Sequence, residues 1–209
     1  MSAALRTTED AFTPRQQAVL TAALDLLVEA GDRLTMTAVA RRASCSKETL
    51  YKWFGDRDGL LTATVQWQAA KVRVPRVDRR KLDAASLRAS IEQFARDLLG
   101  TLAGEVSVTL NRLAVTDAGA HKPGLGQIVL ENGRLAMGRR LKPVLEAGRD
   151  ARLLRFDSSE EAFRTFFGLV VRDVQIRLLL GDELTLSPAR IEADATQAAE
   201  QFLQLYRRE

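Results

Sequence analysis

Apolar residues recur at helical spacing along nearly the whole chain. Leu20, Ala23, Leu24 and Leu27 form the first stripe, the i, i+3, i+4, i+7 mark of a helix with one buried face. Thr13-Pro14-Arg15-Gln16 precedes it: Thr13 can cap, Pro14 suits the first helical position, Gln16 can reach back, and Gly31 is a stop. Two short segments follow, Thr35 to Arg42 and Ser46 to Phe54. Asp56 then caps a longer helix that carries Leu60, Leu61, Val65 and Trp67 and ends before Pro75. Leu87, Ile91, Phe94, Leu98 and Leu102 mark the next helix, and Val106, Leu110 and Leu113 another, ending near Gly119. The segment from Pro123 to Arg149 is helical in composition, with a kink or break expected at Pro143, which lacks an amide donor and clashes with the preceding turn. Ser158-Ser159-Glu160-Glu161 forms a capping box before an apolar helix carrying Phe163, Phe166, Phe167, Val170, Val171, Val174 and Leu178. Ser187-Pro188 opens the last helix, with Ile191, Ala195, Ala198, Phe202, Leu203 and Tyr206. Strand-like alternation never competes over comparable lengths. The pattern predicts an all-α chain of about nine helices.

Composition narrows the chemistry. The chain has 209 residues, 46% hydrophobic and 28% charged, which suits one or two domains with a real core. The longest apolar stretch, around Phe166 to Val171, contains Gly168 and falls far short of the ~20 residues a membrane span needs. Met1 to Phe12 is polar, with no apolar h-region, so a cytoplasmic protein without a membrane partner is expected. Cys45 is the only cysteine and His121 the only histidine. This excludes intrachain disulfides, cysteine-built zinc sites, multi-histidine metal centres and Cys–His catalysis. His121 reads as an exposed loop residue. Glu160 and Glu161 are adjacent on a helix and do not face each other. Neither a cofactor nor an enzymatic site is expected; a carboxylate site assembled across helices or a plain interaction module are the competing readings.

The N-terminal three helices carry the informative chemistry. The second and third, joined by a tight turn, match a helix-turn-helix. Ala40 and Ala43 are small and allow close approach. Ser44 falls in the turn, Cys45 follows as an apolar plug, and Ser46 can cap the third helix. At about 100° per residue, Leu50 and Phe54 share one face, flanked by Trp53. Glu48 and Lys52 point away, flanked by Thr49 and Tyr51. Lys52 can meet phosphate or guanine, Thr49 a thymine methyl or phosphate, and Tyr51 a phosphate oxygen. Between Arg33 and Arg57 the local excess is +4, although residues 1–60 hold eight basic and eight acidic side chains. Residues 61–81 hold six basic and one acidic; the stretch around Arg76, Arg79, Arg80 and Lys81 reads as a solvated linker or helix end.

The run Thr35-Met36-Thr37-Ala38-Val39-Ala40-Arg41-Arg42-Ala43-Ser44-Cys45-Ser46-Lys47-Glu48-Thr49-Leu50-Tyr51-Lys52-Trp53-Phe54 resembles the DNA-binding signature of the TetR/AcrR family of bacterial transcriptional regulators. Gly55 to Leu61 resembles the start of that family's fourth helix. Two positions depart from the pattern: Ser44 stands where glycine is usual, and Arg57 where lysine is. The resemblance implies Ser46, Lys47, Thr49, Tyr51, Lys52 and Trp53 as recognition-helix contacts, and Thr35 and Arg57 as phosphate contacts. Leu50, Phe54, Val39 and Ala40 would be core. Glu48 either accepts from a cytosine amino group or serves the helix dipole.

The resemblance also implies a division of tasks. Residues 13–60 would bind DNA, and residues 61–209 would bind a small-molecule effector and dimerise. A homodimer through the last two helices would read a palindromic double-stranded operator, its recognition helices about 34–36 Å apart. Both apolar stripes could instead belong to the monomer's core. Trp67, Phe94, Leu98, Asn111, Met137, Phe167 and Arg172 are the candidate effector-lining residues, each with ordinary packing as the alternative. Effector binding would shift the dimer between two states, and moving a 99:1 population to 1:99 needs about 5.5 kcal/mol of differential affinity. Repression is the expected sign.

Overall fold

The computed structural model describes residues 12–30, 34–74, 77–118 and 124–207. Gly31, Arg33, Pro75, Arg76, Gly119, His121 and Pro123 lie outside them. The helices are α1 (Pro14–Ala30), α2 (Met36–Arg42), α3 (Lys47–Phe54), α4 (Arg57–Ala70), α5 (Ala84–Ala103), α6 (Glu105–Asp117), α7 (Leu125–Val129), α8 (Leu135–Asp150), α9 (Ser159–Val171), α10 (Val174–Leu179) and α11 (Pro188–Tyr206). A π-helical turn, Leu130–Arg134, lies between α7 and α8. The described residues form no strand, only an isolated bridge between Leu154 and Arg207. No helix among them is long and apolar enough to cross a membrane.

Local chemistry sets most helix starts. Thr13 and Gln16 form a reciprocal capping box: the Thr13 amide donates to Gln16 Oε1 at 2.9 Å and the Gln16 amide to Thr13 Oγ1 at 3.3 Å. Ser158 and Ser187 cap α9 and α11 by accepting from Glu161 and Arg190 amides. Asp83, not anticipated, caps α5 by accepting from the Ser86 amide at 2.8 Å.

Two expected helices are each divided, which raises nine to eleven among the described residues. The helix expected over 123–149 contains the π-helical turn, and it does not break at Pro143, because α8 runs through that position. Pro143 and Arg139, whose carbonyl loses its amide donor, are both exposed, so solvent can replace that bond. The apolar run from Phe163 to Leu178 breaks at Arg172, whose φ of 45° ends α9 before α10 begins.

Packing yields two compact units. The first holds α1–α4, α6, α7 and the π-helical turn. Its core joins Leu20, Leu24 and Leu27 of α1, Val39 of α2, Leu50 of α3 and Leu60 and Leu61 of α4 to Leu110, Ala114 and Leu125. The second holds α5 and α8–α11, with Phe94, Phe166 and Phe202 fully buried, Phe94 tilted against Phe166 at 6.1 Å and Phe166 edge-to-face with Phe202 at 5.5 Å. By packing, α4, α6 and α7 belong with the N-terminal helices, across the division at residue 60 expected from the sequence.

Candidate nucleic-acid interface

The α2–turn–α3 unit is built from its caps inward. Thr35 Oγ1 accepts from the Ala38 amide at 3.1 Å and starts α2. The Ala43 amide closes α2 on the Val39 carbonyl at 2.8 Å, and the Cys45 amide returns to the Ala40 carbonyl at 2.9 Å. Ser44 between them is left-handed, φ 49°, as its turn position requires. Arg15 Nη2 donates to the Ser44 carbonyl at 2.7 Å. Ser46 Oγ accepts from the Thr49 amide at 3.1 Å and lies 3.1 Å from Thr49 Oγ1. Cys45 packs half-buried on the core.

The far end of α3 is equally defined. The Gly55 amide bonds the Tyr51 carbonyl at 2.9 Å, and Gly55 turns the chain at φ 81°. Asp56 Oδ1 accepts from the Gly59 amide at 2.8 Å and starts α4. A Cβ at Gly59 would stand 1.9 Å from the Phe54 carbonyl oxygen, so α4 meets α3 there without room for a side chain.

Leu50 is fully buried and anchors α3; burying a leucine contributes about 1.5–3 kcal/mol. Trp53 and Phe54 are half-buried on the same core, their rings edge-to-face at 6.2 Å. Lys47, Glu48, Tyr51 and Lys52 are exposed, Tyr51 at 52%, and Thr49 is half-buried. An eight-residue helix presenting lysine, tyrosine and threonine can enter a major groove and reach base edges and phosphates. Trp53 offers less free surface than expected, because its ring is partly spent on the core. The Glu48 carboxyl is held below the usual carboxylate range by its own backbone amide and by the Ser46 hydroxyl, a capping arrangement that favours the dipole reading.

Several basic residues of the region are engaged internally. Arg42 bonds Glu29 of α1 through both guanidinium nitrogens, one at 3.0 Å. Arg57 Nε donates to the Leu34 carbonyl at 3.0 Å, and its Nη1 lies 3.7 Å from Asp58. Arg73 grips Asp97 bidentately at 3.0 and 3.1 Å, and Arg79 lies 3.6 Å from Asp150.

The candidate effector residues divide between the units. Trp67 and Asn111 fold with the first: Trp67 is half-buried with its ring edge-to-face on Phe12 at 6.3 Å, and Asn111 Nδ2 donates to the Ser107 carbonyl at 2.8 Å. Phe94, Leu98 and Met137 are buried in the second. Phe167 is half-buried beside Phe163 at 6.1 Å. Arg172 is exposed at the α9–α10 break and donates to Gln197 Oε1 at 3.1 Å.

One polar pair escaped the sequence reading. Gln68 is 6% exposed, and its Nε2 donates to Ser107 Oγ at 3.0 Å, while its Oε1 has no hydrogen-bond partner. Turning the amide over would exchange which atom is paired and leave the other unmet. Gln66 Nε2 donates to Asn132 Oδ1 at 3.0 Å on the π-helical turn. The available signal was a glutamine in helical phase with Leu61 and Val65, a polar group on a buried stripe.

Sequence comparisons give the same assignment from outside. Residues 19–64 match the model of bacterial regulatory proteins of the tetR family. Residues 89–208 match that of the AefR-like transcriptional repressor C-terminal domain. A solved TetR transcriptional regulator from Agrobacterium tumefaciens is 48% identical, covering 95% of this chain and 97% of its own, with a TM-score of 0.78. The flavonoid-responsive regulator FrrA is 29% identical over 92% of this chain and 97% of its own, TM-score 0.66. A putative TetR-family regulator from Mesorhizobium loti, 24% identical over 93% and 97% with a TM-score of 0.75, shares the fold. No curated protein matches the chain. Regulators of this kind bind DNA operators and small-molecule effectors, act as dimers and are generally not enzymes; repression and release by effector are typical of them. With its helix-turn-helix and its C-terminal helices each matched, the chain belongs to the TetR family of bacterial transcriptional regulators.

Proposed function

We propose that the chain represses transcription as a homodimer, placing one α3 in the major groove of each half of a palindromic operator. Lys47, Thr49, Tyr51 and Lys52 make the groove and phosphate contacts, Ser46 and Thr35 add phosphate contacts from their capping positions, and Trp53 and Arg57 flank them. The observation that carries this reading is the polarity of α3: Leu50 is fully buried while Tyr51 and Lys52 beside it are exposed. Residues 13–60 read DNA, and residues 61–209 bind effector and dimerise through α9–α10 and α11. The effector contacts Trp67 and Asn111 of the first unit, where Gln68, Ser107, Gln66 and Asn132 supply neutral hydrogen-bonding groups. A site within the second unit would instead use Phe167 and Arg172, with Phe94, Leu98 and Met137 in that unit's buried core. Neutral amides and hydroxyls suit an uncharged, hydroxylated effector. The flavonoid-responsive relative makes a flavonoid such as naringenin the first probe.

The test is a gel shift with DNA from upstream of the chain's own gene. Wild-type protein should retard a duplex from that region, and naringenin should release it. Tyr51→Ala combined with Lys52→Ala should weaken binding by about a hundredfold, as expected for losing two contacts of 1–3 kcal/mol each, with the dimer intact by light scattering. Unchanged mobility at low salt with folded wild-type dimer present would exclude the regulator reading.

A further inference from the structure

The α2–α3 turn is a strained piece of backbone held from outside the motif. Ser44 occupies a left-handed conformation, which crowds Cβ against the backbone and disfavours any side chain by roughly tenfold relative to glycine. On its amide side the turn has only its own bonds, Ser44 to the Arg41 carbonyl at 3.3 Å and Cys45 to the Ala40 carbonyl at 2.9 Å. On its carbonyl side it is met by a charged donor, Arg15, at 2.7 Å from 29 residues away. A guanidinium–carbonyl bond of that length is charge-assisted and directional. The Ser44 peptide plane aims the chain into Cys45 and Ser46, and Ser46 starts α3. Fixing that carbonyl therefore fixes the direction in which α3 leaves the turn.

We infer that Arg15 is a positioning residue for operator recognition: from the first turn of α1 it holds the Ser44 carbonyl, keeping the strained turn, and so α3, in the DNA-reading orientation. The inference rests on the reading that α3 contacts DNA. Arg15 offsets a cost that a glycine at position 44 would not incur. Without the bond, the turn samples other conformations, and observed affinity falls in proportion to the fraction of protein that remains competent. Arg15 is exposed, so α1 folds without its head group.

The test uses the full chain and the upstream duplex that wild-type protein retards. Affinity is measured by fluorescence anisotropy across a salt series for wild type, Arg15→Ala, Ser44→Gly and the double variant. Arg15→Ala should weaken binding about tenfold, the worth of a charge-assisted bond, with the salt slope and dimer unchanged and the thermal midpoint lowered by no more than a few degrees. Ser44→Gly should bind as tightly as wild type or more tightly. In the glycine background, loss of Arg15 should cost less than about threefold, because positions 15 and 44 are coupled. Unaltered affinity of Arg15→Ala overturns the inference. So does an equal loss in both backgrounds with a salt slope lower by about one, the mark of a direct phosphate contact. Absence of any wild-type binding removes the regulator reading and this inference together; wild-type binding with an uncoupled pair removes only the inference.

Discussion

At Gly59 a single hydrogen decides whether α3 and α4 can meet. The atom that a Cβ would strike is the Phe54 carbonyl oxygen at 1.9 Å, part of the backbone and unable to rotate aside. Alanine ordinarily gains about 1 kcal/mol over glycine inside a helix, but here the clash reverses the sign. Gly59→Ala should destabilise the fold by about 2–4 kcal/mol and lower the thermal midpoint by several degrees, read by circular dichroism. A midpoint at or above wild type would show that the α3–α4 junction is looser than this geometry. The arginines teach the complementary lesson. Arg42 and Arg57 count toward the local charge excess, yet Glu29 and the Leu34 carbonyl engage them. Sequence reading could assign the charges but not their partners, because the Arg15, Arg42 and Arg57 bonds span 29, 13 and 23 residues.

Among the elements, what sequence made legible was what neighbours in the chain decide. Thr13, Ser46, Asp56, Ser158 and Ser187 cap helices because each cap bond reaches three residues along. The exposed face of α3 was legible for the same reason, since one buried leucine, Leu50, fixes the phase of the helix. The π-helical turn and the break at Arg172 were not, because both lie inside runs whose composition favours continuous helix. At Pro143 the sequence leaves a kink or a break open; there is no break, because Leu141, Val144 and Leu145 bury the face that holds α8 together. Large apolar side chains stay exposed on and beside the last helices: Ile176 at 53%, Leu180 at 80% and, on α11, Leu205 at 64%. Gly168 of α9 has nothing within 4 Å of where a Cβ would stand. A self-complementary interface would use such a surface. Ile176→Asp combined with Leu205→Asp should give a monomer by light scattering, with the thermal midpoint nearly kept and operator affinity reduced roughly a hundredfold through lost bivalency. A stable dimer in this variant would move the interface elsewhere.

For the molecule as a whole, charge and packing tell different stories from chain order. The chain's net +4 comes mainly from residues 61–81, and two of the six basic residues there, Arg73 and Arg79, pair with Asp97 and Asp150 within the second unit. Packing binds α6 and α7 to α1–α4, with Leu110, Ala114 and Leu125 completing the core over Leu20 and Leu24. A fragment ending at Lys71 lacks those three side chains. It should show no cooperative unfolding transition by circular dichroism, while the full chain does; a sharp transition in the fragment would make α1–α4 self-sufficient. The membership of the first unit also bears on how regulators of this kind could be recombined. A chimera spliced at residue 60 to change operator preference would inherit one half of a core and lose its mate. If α3 reads DNA as proposed, specificity could be exchanged intact only by grafting its exposed side chains, or by moving two separate stretches of chain together.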